Sequence, residues 1–90
     1  MKSAYELAME RLAQSQPAAK LTDAQKRELA NISARYEAKI AERTTFLTGK
    51  LREAEAKGDA AEADQFRAQL RRDLATFNEE METKKNAVRN

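Results

Sequence analysis

The chain has 90 residues, 41% of them hydrophobic and 36% charged, with a net charge of +2 from 17 basic and 15 acidic side chains. Alanine accounts for 18 residues, and Ala, Glu, Lys, Leu and Arg together for 54, against 2 Gly and 1 Pro, a balance that favours long helices or a coiled coil over a sheet. With no Cys and no His, disulfides, common zinc sites, Cys nucleophiles and the usual general base near neutral pH are excluded, and the small charge imbalance is not that of a polycation.

The N-terminal stretch MKSAYELAMERL is interrupted by Glu6 and Glu10 and lacks the apolar core of a signal peptide. Ser3 stands three residues before Glu6, a capping-box spacing, and opens a helix over residues 4–15 with Tyr5, Ala8, Met9 and Leu12 on one face. Pro17 ends that helix, leaving a linker over 16–22. Thr22 and Gln25 repeat the box and start a second helix over 23–57. Gly58 suits the left-handed position that closes a helix, and Asp59 with Glu62 forms a third box, opening a helix over 60–88. The tip between the long helices is only residues 58–59, which makes them antiparallel neighbours.

Apolar residues mark the contact. Leu29, Ile32, Tyr36, Ile40, Leu47, Leu51 and Ala54 line the second helix, and Ala63, Phe66, Leu70, Leu74, Phe77, Met81 and Val88 the third. Leu29, Ile40 and Leu51 recur every eleventh residue, as do several of the others, and a period of about 3.67 residues per turn runs nearly straight along a helix. With the tip at Gly58, residues that face one another have numbers summing to about 117, which pairs Leu51 with Phe66, Leu47 with Leu70, Ile40 with Phe77 and Tyr36 with Met81. The flanking charges agree without having been used to set the register. Arg43 meets Asp73, Lys57 meets Glu62 and Lys39 meets Glu80 on one side, while Glu37 and Glu55 look toward Lys85, Arg67 and Arg71 on the other. The expected fold is all-α: a long antiparallel helical hairpin, coiled-coil-like with an eleven-residue periodicity, and a short N-terminal helix packed at its open end near Ile32, Tyr36, Met81 and Val88, in a single domain over 1–90.

Glu53 with Glu55 and Glu79, Glu80 and Glu82 place carboxylates near one another, but on solvated helix faces with basic neighbours and no pocket, so neither catalysis nor a metal site is expected. No cofactor and no membrane association are expected, and a cytoplasmic location is the expected default. Arg71-Arg72 and Lys84-Lys85 with Arg89 raise the alternative of a nucleic-acid-associated accessory protein using basic helix faces. Interleaved acids dilute the concentrated field such binding needs. Phe46 lies beside the seam, and Ala30, Ala34, Ala38 and Ala41 form a second small-residue face. A hairpin buries each stripe on one side only, so the chain is expected to form a homo-oligomer, a dimer in the first instance, and to meet an unidentified protein partner. The candidate interaction residues are Phe46, Lys50 and Leu51 on the distal face, Lys57, Gly58 and Asp59 at the tip, and Arg67 and Arg71.

The segment from Leu51 to Leu70, LREAEAKGDAAEADQFRAQL, resembles the UVR motif. Ala54, Asp59, Glu62, Ala63, Phe66, Arg67 and Leu70 fall where that motif places its Ala, turn Asp, Glu, Ala, apolar, Arg and apolar positions, with departures at Ala60, Asp64 and Ala68. The motif is a short helical hairpin of nucleotide excision repair subunits and of regulators of bacterial protease chaperones, so the resemblance implies a hairpin and protein–protein contact. The chain as a whole is similar to short, uncharacterised bacterial all-helical proteins, which implies no activity.

Overall fold

The computed structural model describes residues 3–15 and 20–90, without the side chains of 12–15. Three helices follow in order: α1 (Ala4–Ser15), α2 (Asp23–Ala56) and α3 (Ala60–Arg89). The described residues form no strand. α2 and α3 pack along their length as an antiparallel hairpin, as expected, and the molecule measures 64 × 31 × 18 Å. Pro17 and the side chain of Leu12 lie outside the described residues.

Each helix start is held by the side chain that the sequence offers. The Ser3 hydroxyl oxygen accepts from the Glu6 amide at 3.2 Å, and Asp59 Oδ1 accepts from the Glu62 amide at 3.0 Å. At Thr22 the box is reciprocal: Thr22 Oγ1 accepts from the Gln25 amide at 3.0 Å, and Gln25 Oε1 accepts from the Thr22 amide at 2.8 Å. These bonds satisfy amides that have no partner within the helix. Gln25 has a second role, because its Nε2 donates to the Val88 carbonyl at 3.0 Å. That carbonyl is among the last four of α3, which the helix itself leaves unpaired, so one side chain starts α2 and finishes α3.

The tip is as short as a reversal of two helices can be. α2 ends at Ala56, one residue earlier than expected, with Lys57 as its cap, and Gly58 follows at φ 74°. The Gly58 amide donates to the Glu55 carbonyl at 3.0 Å and the Asp59 amide to the Ala54 carbonyl at 2.9 Å, the two bonds of a Schellman motif. Asp59 thus closes α2 through its backbone while its carboxylate opens α3. Immediately below, Ala54 and Ala63 are 0% and 2% exposed, small enough to let the helices come together directly beneath the turn.

The described core is narrow, comprising Ile32, Tyr36, Leu47, Ala54 and Ala63. The other seam residues, including Ile40, Leu51, Phe66, Leu70, Leu74, Phe77 and Met81, are only partly covered, since two helices cover a stripe from one direction. The register matches expectation. Arg43 Nε lies 2.6 Å from Asp73 Oδ2, Arg67 Nη2 lies 3.1 Å from Glu55 Oε1, and the rings of Tyr36 and Phe77 stand 6.4 Å apart.

Three expected charge contacts do not form ion pairs. Among the described residues none joins Lys39 to Glu80, Lys57 to Glu62 or Glu37 to Lys85. Tyr36 explains the first: its hydroxyl lies 3.3 Å from Glu80 Oε2, while Lys39 Nζ sits 4.8 Å and Lys84 Nζ 5.3 Å from its ring centroid. The ring draws the ammonium groups to its π-face, and the lysine stems help leave Tyr36 only 1% exposed. Of the residues that α1 is expected to cover, Ile32 and Tyr36 are buried and Met81 and Val88 are only partly so. The described side chains of α1 face outward, with Tyr5, Leu7 and Met9 exposed to 73%, 47% and 49%.

Candidate interaction surface

The candidate residues fall into three places. Phe46 projects from α2 with 55% of its surface exposed, and its ring is bracketed by Arg43, whose guanidinium carbon lies 5.9 Å from the centroid, and by Lys50, whose Nζ lies 5.7 Å away. Positions three before and four after share a helix face with it, which is why both cations reach the ring. Lys50 Nζ also lies 3.7 Å from Glu53 Oε2. Leu51 is half-buried in the seam. The tip, Lys57, Gly58 and Asp59, is exposed.

Arg67 is committed within the chain. Its guanidinium forks, with Nη1 2.8 Å from Asp64 Oδ1 and Nη2 3.1 Å from Glu55 Oε1. Together with Gly58, Ala60 and Ala63, Glu55 and Arg67 line a shallow recess beside the turn. Arg71, one helical turn further along α3, is exposed on the same side.

The structure joins Phe46 with Lys50, and Arg67 with the recess at the tip, but it does not bring these groups together. The Arg43–Asp73 bridge closes the Phe46 side of the hairpin, and the Glu55–Arg67 bridge closes the other. Arg43 and Glu55, expected only as partners that set the register, also contact Phe46 and Arg67 and so belong to these surfaces. Their spacing from those residues was the available signal. Among the described residues no group of three or more His, Cys, Asp or Glu is placed to hold a metal ion, and no helix is long and apolar enough to cross a membrane.

Comparison with protein-family models, with curated proteins and with solved structures finds no match to this chain.

Proposed function

We propose that this chain is a cytoplasmic, non-catalytic interaction or scaffold protein that self-associates through its helical hairpin. One observation carries the proposal: the hairpin leaves Phe46 exposed and most of its seam, including Ile40, Leu51, Phe66, Leu70 and Phe77, only partly covered. The shape supports it. The radius of gyration is 20.6 Å, against about 12 Å for a compact domain of this length. An elongated two-helix plate gains most by placing further helices against its face, which is how helical bundles complete a core. The tip, where the UVR-like segment turns, offers a separate exposed site for a different protein.

Sedimentation equilibrium across the micromolar range tests self-association. Reversible dimer formation that is weakened by Phe46→Ala is expected. A wild-type chain that stays monomeric throughout, with a cooperative melt independent of concentration, would overturn the proposal.

A further inference from the structure

Resting on that reading, we infer that the partner of the Phe46 face is a second copy of this chain, and that the two hairpins pack in parallel with both tips at the same end. α2 of each copy lies over α3 of the other.

The argument begins with how charge is distributed across one face. On the side closed by Arg43 and Asp73, α2 contributes Lys39, Lys50 and Lys57, whereas α3 contributes Glu62, Asp73 and Glu80. With Glu53 beside Lys50 and Lys84 one turn beyond Glu80 counted, the α2 edge keeps a net positive charge and the α3 edge a net negative one. Two identical faces can meet about a two-fold axis in two ways, and each residue contact is then made twice. An axis across the hairpin lays α2 on α2 and α3 on α3, setting edges of like sign against each other. An axis along the hairpin lays α2 on the partner's α3, so that basic edges meet acidic ones. Opposed like charges disfavour the first arrangement and complementary ones fix the second.

Particular residues agree with the second arrangement. A lengthwise two-fold axis keeps every residue at its own height, so Lys57 comes over the partner's Glu62. Within one chain these two side chains share a height yet form no ion pair, which leaves both able to pair across the interface. Phe46 stands near the height of the partner's Asp73, which lies between Gln69 and Thr76 on that edge of α3 and is already paired with Arg43 of its own chain at 2.6 Å. The exposed aromatic ring therefore meets the part of the acidic edge whose charge is neutralised within its own hairpin.

The available area is sufficient. The chain exposes 7072 Å², whereas a compact monomer of 10.2 kDa exposes about 5,300 Å². The excess is roughly twice the ~800 Å² that each partner buries in a standard interface.

Two measurements on the full chain test the geometry. The absence of cysteine allows spin labels at single introduced thiols, Ala56→Cys near the tip and Asn86→Cys near the open end, both at exposed positions. Parallel packing places both label pairs at about 30 Å; antiparallel packing separates at least one pair by more than about 45 Å, given ~1.5 Å per helical residue. Charge reversal gives the second reading. Lys57→Glu and Glu62→Lys should each weaken dimerisation by about tenfold, two pairs per dimer turning repulsive. An equimolar mixture of the two variants should recover wild-type affinity, which no effect confined to one chain can do. A dimer with one long label distance, or one that mixing fails to restore, overturns this inference and leaves self-association standing. A wild-type chain that is monomeric throughout overturns both.

Discussion

The two glycines predict stability changes of opposite sign on the same substitution. Gly49 lies within α2, and Gly58 holds φ 74° at the tip. A methyl group added at either position meets nothing within 4 Å, so neither result can be assigned to a clash. At Gly49 alanine keeps the helical backbone and narrows the unfolded ensemble, which stabilises a helix interior by about 0.5–1 kcal/mol. At Gly58 alanine must hold a left-handed conformation that costs about 1–2 kcal/mol, with part of that cost offset through the unfolded state. The two variants should therefore differ by roughly 1.5–2 kcal/mol. For a chain of this size that separates their melting temperatures by about 6–16 °C. Circular dichroism at one fixed chain concentration provides the assay, since dimerisation makes melting concentration-dependent. If Gly58→Ala is as stable as the native chain, the reasoning that ties the reversal to a left-handed glycine fails. If Gly49→Ala destabilises, that residue makes a contact absent from the single chain.

A double-mutant cycle on Arg43 and Asp73 should give a favourable coupling of about 0.5–1 kcal/mol, modest because both side chains remain partly exposed at 37% and 27%; zero coupling would remove the pair from the account of register. Thr22→Ala, which breaks the reciprocal box at the start of α2, should cost about 1 kcal/mol by chemical denaturation. Leu47→Ala, at a side chain 2% exposed, should cost about 2–4 kcal/mol, clearly more than Leu51→Ala in the half-buried part of the seam. Fluorescence anisotropy with labelled single- and double-stranded DNA or RNA at low salt should show no binding. A salt-sensitive rise would favour the nucleic-acid alternative.

The hairpin was legible because its determinants are local and its register is counted from a single turn. Ser3, Thr22 and Asp59 announce their helices by chemistry within three residues, and once Gly58 fixes the reversal, the position of every facing pair follows. The charges at Arg43 and Asp73 added a constraint of the same kind. What could not be read was the competition for a side chain with more than one suitable neighbour. Lys39 has a carboxylate at its own height and a tyrosine three residues earlier; the ring holds it, and Glu80 turns to the tyrosine hydroxyl. Burial was also overstated by pattern. Leu47 and Leu51 belong to one stripe, but Leu47 points more directly at α3 and alone of the two is buried. In α1, periodicity shows an apolar face that was expected to cover the open end of the hairpin, yet its side chains at Tyr5 and Met9 stay exposed.

A reversal of two residues also sets the order in which the molecule can assemble. The interhelical links span 12 residues at Glu55–Arg67, 30 at Arg43–Asp73, 44 at Tyr36–Glu80 and 63 at Gln25–Val88. Closing the last of these from an open chain costs about 1.5 kcal/mol more loop entropy than closing the first. If closure proceeds from the tip, each link instead adds only a short loop to those already formed. The turn at Asp59 is thus the natural origin of a zipper. The same gradient acts in reverse, so amide protons near Gln25 and Val88 should exchange ahead of those around Ala54 and Ala63, and the hairpin opens from the end at which its two helices begin and finish.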